Sequence, residues 1–155
     1  MYSALKGFTL IEMMVSVMLL TIVTGAAIVG VITFNQNQGI EDDAKQLISE
    51  IRRVYSRATG IYYPPSCTGR LTGYLMDLVN GSNDISTAAL CSLEISETRT
   101  DVLKSSHFTG ADTITINAGD GRIAGSPITI VITSDTSTTL TKSVVVNDFG
   151  VIEEL

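Results

Sequence analysis

The sequence predicts an α+β fold in which one long N-terminal α-helix packs on a C-terminal antiparallel β-sheet. Three patterns indicate this fold: an uncharged stretch over residues 13–40, apolar residues at helical spacing up to Ala58, and alternating residues beyond Asp112. A three-four spacing is typical of a helix face, and strict alternation is typical of a strand. Since only 17% of the 155 residues are charged, the chain allows one soluble domain plus an apolar arm.

The first half of the predicted helix is long enough to cross a membrane. A spanning helix needs roughly 20 apolar residues, and the uncharged stretch is longer than that. An ordinary secretory signal has an apolar region of only about 7 to 15 residues. Cleavage by a signal peptidase near Thr24, Gly25 and Ala26 is the alternative, and it fits this length poorly.

Several residues of the stretch are small or weakly polar, which allows apolar helices to approach each other closely in a bundle. The glycines among them are each about 1 kcal/mol less favourable than alanine in a helix, so the stretch could loosen locally. The small or weakly polar residues are Ser16, Thr21, Thr24, Gly25, Ala26, Ala27 and Gly30.

The second half of the predicted helix is amphipathic. After a polar break at residues 35–39, apolar residues return at a three-four spacing, and Gly60, Pro64 and Pro65 end the helix. We expect the apolar face to cover the sheet and the charged face to contact solvent. The apolar face comprises Ile40, Ala44, Leu47, Ile48, Ile51, Tyr55 and Ala58, and the charged face comprises Asp42, Asp43, Lys45, Glu50, Arg52, Arg53 and Arg57.

The last third of the chain predicts antiparallel strands. Apolar residues alternate with polar ones or form short β-branched runs, and Gly, Asp, Asn, Ser or Pro bounds each segment. The predicted strands cover residues 113–116, 128–133, 140–146 and 151–152.

Glu12 is the one charged residue at the start of the apolar stretch. A carboxylate in a membrane span costs about 2.5 kcal/mol or more unless it finds a partner. Such a residue usually has a function, although an interfacial position among lipid headgroups is the alternative explanation.

The segment from Gly7 to Glu12, GFTLIE, resembles the processing site of type IV prepilins and type II secretion pseudopilins. In that family a short leader ends in Gly and the mature chain begins with Phe. The resemblance implies the pilin fold, with a leader at 1–7 and a transmembrane and filament-core helix at 8–34. It also implies an amphipathic continuation at 35–60 and a β-rich head at 61–155.

The resemblance further implies that prepilin peptidase cleaves the Gly7-Phe8 bond and that Phe8 is then N-methylated. A free α-amino group has a reference pKa of about 7.7 to 8.0, so the new terminus would be largely cationic. The Phe8 amine is implied to meet the Glu12 carboxylate of a neighbouring subunit during assembly.

By the same resemblance, the chain is expected to be a structural subunit and not an enzyme. It would span the bacterial inner membrane once and then enter a periplasmic or cell-surface filament. The implied partners are prepilin peptidase, other pilin or pseudopilin subunits and the inner-membrane assembly platform. No cofactor is expected, and a membrane-anchored extracytoplasmic enzyme is the remote alternative.

The C-terminal region is similar to that of H-type minor pseudopilins and their type IV pilus counterparts. Many major pilins carry a proline in the apolar helix, and this chain has none there. Both features favour a minor subunit, with a major pilin as the alternative, whereas residues 67–106 resemble no segment of the family. The similarity rests on residues 113–116, 119–121, 128–133, 144–146 and 150–152.

The formal net charge of −6 argues against nonspecific nucleic-acid binding as the main activity. A DNA-binding minor pilin of a competence pilus nevertheless stays an alternative. It is motivated by four basic residues, Arg52, Arg53, Arg57 and Arg70.

Cys67 and Cys91 are the only cysteines, and in an extracytoplasmic head they predict a disulfide worth on the order of 3 kcal/mol. Two free thiols are the alternative. His107 has no metal ligand at a suitable spacing, so no metal site is expected there. Residues 80–84 are faintly similar to a calcium loop, but without its closing Glu they are explained better as a turn.

Overall fold

The computed structural model describes residues 9–92, 94–110 and 112–154. These residues form one α-helix and eight β-strands: α1 (Leu10–Thr59), β1 (Leu71–Leu78), β2 (Asp84–Cys91), β3 (Ile95–Val102), β4 (Ser106–Gly110), β5 (Ile114–Asn117), β6 (Ile128–Ser134), β7 (Thr141–Val146) and β8 (Ile152–Glu154). The chain divides into two compact units, Met1–Asn35 and Gln36–Leu155. We call their described parts the arm and the head, and helix α1 contributes to both.

Helix α1 begins behind a threonine cap. The backbone N–H of Glu12 donates to Thr9 Oγ1 over 3.3 Å, and the N–H of Met13 donates to the Thr9 carbonyl over 3.2 Å. A threonine followed three residues later by glutamate is the sequence pattern of a capping box, which satisfies donors that a helix start leaves unpaired. Phe8, the expected first residue of this helix, lies outside the described residues.

Helix α1 ends at Thr59, next to the predicted stop at Gly60. The N–H of Tyr62 donates to the Arg57 carbonyl over 3.0 Å, and that of Ile61 donates to the Ala58 carbonyl over 3.3 Å. This pair of bonds defines a Schellman motif. Ile61 therefore occupies the left-handed position that glycine usually takes, with a φ of 49°. A left-handed conformation costs a residue with a side chain roughly 1–2 kcal/mol.

The strands of the head form two four-stranded antiparallel sheets, where the sequence predicted one. Sheet A has the order β3-β2-β1-β5, and sheet B has the order β4-β6-β7-β8. The four strands predicted from sequence are β5 to β8. Only β6, β7 and β8 pair with one another, whereas β5 pairs with β1 in sheet A.

The amphipathic part of helix α1 shares one hydrophobic core with both sheets. Its fully buried side chains lie in one cluster with Met76 and Ile116 of sheet A and with Ile130 of sheet B. Each buried Leu or Ile contributes about 1.5–3 kcal/mol relative to an exposed one. The helix residues in this cluster are Ile40, Ala44, Leu47, Ile51, Val54 and Ala58, with Ile48 and Tyr55 partly buried beside them.

Asp43 was predicted to lie on the solvent-exposed face of the helix, and this prediction is wrong because Asp43 is only 2% exposed. Its carboxylate accepts hydrogen bonds from Lys104 N at 3.1 Å, Ser105 N at 2.8 Å and Ser106 Oγ at 2.8 Å. Lys104 and Ser105 belong to the connection between β3 and β4, and Ser106 begins β4. One carboxylate therefore attaches helix α1 to the segment that leads from sheet A into sheet B. Three hydrogen bonds compensate for the burial of its charge.

The prediction is also wrong at Glu50, which is buried with 9% of its surface exposed. Glu50 accepts a hydrogen bond from Arg53 Nε over 2.7 Å. Arg53 Nη2 lies 3.6 Å from Asp101 Oδ2, and Asp101 accepts two hydrogen bonds from Arg99, at 2.8 and 3.1 Å. This four-residue network connects the helix to β3.

Cys67 and Cys91 form the predicted disulfide, with their Cα atoms 5.8 Å apart. Cys91 ends β2, and Cys67 lies in the loop that follows the helix. The bridge therefore attaches this loop to sheet A.

Candidate functional site: the apolar arm and Glu12

The arm exposes nearly all of its apolar surface. Each of its large apolar side chains for which burial is described is more than half exposed, from Val15 and Ile32 at 52% to Leu10 at 79%. Soluble monomers rarely expose contiguous apolar patches larger than a few hundred Å². The arm is therefore built to be covered by something outside the chain.

The polar side chains of the arm are largely satisfied by the arm itself. Ser16 Oγ donates to the Glu12 carbonyl over 2.7 Å, and Thr24 Oγ1 donates to the Leu20 carbonyl over 2.7 Å. Thr21 Oγ1 donates in the same way to the Met18 carbonyl over 2.8 Å. In hydrocarbon every polar group needs such an internal partner, since no water is available.

The glycines of the arm have no role that the chain itself explains. A Cβ added at Gly25 or at Gly30 would meet no atom within 4 Å. Both are unfavourable helix residues, so folding of the arm alone would prefer alanine. Close approach of another helix is the usual reason for small residues in an apolar helix. The side chains of Ala26 and Ala27, which belong to the same predicted set, lie outside the described side chains.

Glu12 lies in the first turn of helix α1 and is exposed. Within residues 9–92, 94–110 and 112–154, no side chain pairs with its carboxylate, although its backbone N–H is bound by Thr9. It is also the only charged residue between Thr9 and Ile40. The arm therefore presents one unpartnered negative charge at the start of a long apolar surface.

By length and composition, helix α1 is able to cross a membrane, and the apolar window that meets this criterion has no buried residue. The core helix of a soluble protein would be mostly buried. Gly7 and Phe8, predicted to flank the cleaved bond, lie outside the described residues.

Comparison with known proteins gives one motif and one similar structure. Residues 4–28 match the family model of the prokaryotic N-terminal methylation motif. The crystal structure of the type IV minor pilin FimU from Pseudomonas aeruginosa is similar with a TM-score of 0.53 and 13% identity, covering 74% of this chain and 91% of that chain. At this identity the similarity shows the fold. No curated protein matches the chain.

The motif covers Gly7, Phe8 and Glu12 together with most of the arm, and the fold agrees with it. The chain therefore carries a prokaryotic N-terminal methylation motif and shares the fold of a type IV minor pilin. The head carries the two sheets and the disulfide.

The remaining predicted candidates lie in the head. His107 Nδ1 is 2.7 Å from Asp135 Oδ1, and the described residues contain no cluster of three metal-ligating side chains. In the 80–84 loop, Ser82 Oγ donates to Asp84 Oδ2 over 3.2 Å, and Asn83 Nδ2 donates to the Leu103 carbonyl over 3.2 Å. These polar atoms stabilise a turn and its contact with the β3–β4 connection.

Two of the four arginines that motivated DNA binding make contacts within the head. Arg53 belongs to the network with Glu50 and Asp101. The Arg57 guanidinium lies 5.2 Å from the centroid of the Tyr62 ring. That contact takes the place of the hydrophobic pair that usually accompanies a Schellman motif. These contacts give no specific support to DNA binding.

Proposed function

We propose that this protein is a pilin, a structural, non-enzymatic minor subunit of a type IV pilus or a type II secretion pseudopilus. The observation that carries the proposal is the exposed apolar arm with its one unpartnered carboxylate, Glu12. Such an arm suits two environments in turn, the lipid bilayer and the core of a helical bundle.

Processing supplies the charge that Glu12 lacks. Prepilin peptidase cleaves the Gly7-Phe8 bond, and N-methylation of Phe8 keeps the new amine basic. The α-amino group has a reference pKa of about 7.7 to 8.0, so most of it is protonated at neutral pH. Before cleavage this positive charge does not exist, so Glu12 has no such partner.

Assembly brings the two charges together. An unpaired carboxylate in an apolar environment costs about 2.5 kcal/mol or more, and pairing with the Phe8 amine of a neighbouring subunit removes this cost. Because both charges lie at fixed positions along the arm, their pairing also sets the axial stagger between adjacent subunits. Exposed apolar side chains then fill the space between neighbouring arms.

The proposal implies a definite location and set of partners. Before assembly the chain spans the bacterial inner membrane once, and afterwards it belongs to a periplasmic or cell-surface filament. Its partners are prepilin peptidase, the other pilins or pseudopilins of the filament and the inner-membrane assembly platform.

The minor role is supported by two features. FimU, whose fold this chain shares, is a minor pilin. The arm also contains no proline, whereas many major pilins carry one. A major subunit is the second candidate, and the abundance of the chain in filaments released by shear separates the two roles. The H-type subtype rests on the sequence resemblance of the C-terminal region.

The first experiment tests processing. Intact-mass measurement of the mature protein should give a chain that begins at Phe8 and carries one additional methyl group. A mature chain that begins at Met1, or one cut near Ala27, would contradict the proposal.

The second experiment tests the charge pair with Glu12→Gln, which keeps the side-chain size and removes the charge. We expect normal cleavage and membrane levels, but at least about tenfold less incorporation into filaments, as for the loss of about 1.4 kcal/mol or more. Ser16→Ala is the matched control, because it changes an arm hydroxyl that already bonds within its own helix. Wild-type incorporation of Glu12→Gln would reject the charge-pair mechanism.

A further inference from the structure

Three large apolar side chains of the head are exposed near the end of helix α1, on segments next to turns whose glycines lie against Tyr55 or Ile61. They are Ile61 at 53%, Phe149 at 64% and Val151 at 54%. We call them, with Tyr55, the Tyr55 surface. Tyr55 itself is only partly buried against the core.

Two tight turns build this surface. A Cβ added at Gly150, which lies between Phe149 and Val151, would come within 2.5 Å of Tyr55 Cε2, and one at Gly121 would come within 2.6 Å of Thr59 Cγ2. Both glycines have positive φ, at 70° and 67°. The N–H of Ile123 also donates to the Asp148 carbonyl over 3.3 Å, which holds the two turns side by side. The backbone is therefore pressed against the helix while the apolar side chains point to solvent.

Ile61 is the least expected member of the surface. It has the left-handed conformation of the Schellman position, where a β-branched residue is a clear outlier and glycine is usual. Its side chain is more than half exposed, and it lies beside the turn at Gly119, where an added Cβ would be 4.0 Å from Ile61 Cδ1. Folding of the head alone would favour glycine at this position. We therefore infer that the isoleucine side chain contacts a partner outside the chain.

We propose that the Tyr55 surface is a docking site for the pilin-fold head of an adjacent subunit in the filament. The inference rests on the proposed function, since it requires a filament. The three exposed side chains offer on the order of 300 Å², well below the roughly 800 Å² per partner of a stable interface. A partner can therefore bind this surface stably only if a second contact holds it nearby. Packing of the arms in a filament is such a contact, because it raises the effective concentration of neighbouring heads.

An adjacent head of the same fold would face this surface with the other end of its helical segment, and in this head that end also has exposed apolar side chains nearby. Val79 and Val102 are exposed at 56% and 46%, and the Val102 carbonyl accepts a hydrogen bond from Gln46 Nε2 over 3.2 Å. Two residues after Val102, Lys104 N donates to Asp43, near the start of the helical segment, whereas Tyr55 and Ile61 lie by its end. A contact between unlike ends of two heads does not close on itself, and contacts of this type generate filaments.

The decisive variant is Ile61→Gly, because it should raise the stability of the head and lower its incorporation into filaments. Glycine relieves the left-handed conformation, so the full-length protein in detergent should unfold a few degrees higher than the wild type. In cells with the native assembly system, the same variant should enter shear-released filaments at least about threefold less, relative to its membrane pool. Phe149→Asp should reduce incorporation by about tenfold.

Ile95→Asp is the matched control, because Ile95 is 63% exposed on the edge strand β3, outside the Tyr55 surface. It should enter filaments at the wild-type level. Wild-type incorporation of both Ile61→Gly and Phe149→Asp, in filaments that contain the wild-type chain, would overturn the docking site and leave the proposed function intact. Absence of the wild-type chain from filaments would overturn both.

Discussion

The same kinds of residue have opposite surroundings in the arm and in the head. In the arm, leucines are exposed, hydroxyls bond within their own helix, and glycines meet nothing within 4 Å. In the head, Leu47 is fully buried, Asp43 bonds to residues about sixty positions away, and Gly73 lies where an added Cβ would come within 2.5 Å of the Ile116 carbonyl oxygen. The chain's own fold therefore accounts for these residues of the head, whereas it gives no packing reason for those of the arm.

The largest expected difference between the two regions concerns leucine truncation. Leu47→Ala should lower the free energy of unfolding of the head by about 2–5 kcal/mol, because it removes a fully buried side chain from the core. Leu20→Ala, at a side chain 62% exposed in the arm, should change it by less than about 0.5 kcal/mol. Denaturant unfolding of the full-length protein in detergent measures both. Equal effects would contradict the division into the two regions.

A smaller but clear difference is expected for the carboxylate that attaches helix α1 to the β3–β4 connection. Asp43→Ala leaves three donors without their acceptor and should destabilise the head by about 2–3 kcal/mol. The neighbouring Asp42 is exposed, and Asp42→Ala should cost less than about 0.5 kcal/mol. Similar unfolding midpoints for the two variants would show that the buried carboxylate of Asp43 does not stabilise the attachment of helix α1 to the β3–β4 connection.

The smallest effect is pH-dependent and belongs to Asp101. The hydrogen bonds from Arg99 hold the pKa of Asp101 below its usual value of 3.8, with Arg53 acting in the same direction and partial burial opposing both. Because the folded pKa is lowered, this stabilisation is present above about pH 3.8 and is lost as the pH falls through the folded pKa.

Asp101→Asn should therefore reduce the free energy of unfolding at neutral pH by at most about 1 kcal/mol. The difference from the wild type should shrink as the pH falls below about 3.8. When Arg99→Gln is present in both proteins, Asp101→Asn should change the free energy of unfolding much less at every pH. The reason is that Arg99→Gln removes the main cause of the lowered pKa of Asp101. Unfolding curves at a series of pH values would measure the difference in free energy of unfolding between Asp101→Asn and the wild type. A difference that grows as the pH falls would contradict the prediction.

The predictable strands are those with strong local patterns. β5 to β8 follow from β-branched residues bounded by turn formers, and the helix end follows from Gly60. β1 and β2 escaped prediction because Gly73, Ala88 and Ala89 are weak strand formers. These residues are favoured here by close packing instead, as the position of Gly73 against β5 shows.

In the candidate site, Glu12 is a candidate from sequence because it is a lone charge in an apolar stretch, and its role in assembly stays a prediction. Asp43 was misassigned, although it lies three residues after Ile40 and four before Leu47, a spacing that places it on the buried stripe. The Tyr55 surface could not be predicted. It depends on two turns far apart in sequence and on the left-handed conformation of Ile61.

The cap of helix α1 has a consequence for maturation. Thr9 supplies both the hydroxyl and the carbonyl that secure the first turn, and it lies beyond the Gly7-Phe8 bond. Under the proposed function, hydrolysis of that bond would keep both of these hydrogen bonds and add a positive charge near the start of the helix. The N-terminal end of a helix dipole is positive, so a cation is disfavoured there. The new terminus would then gain by pairing with an acidic group of another subunit, as the proposal requires.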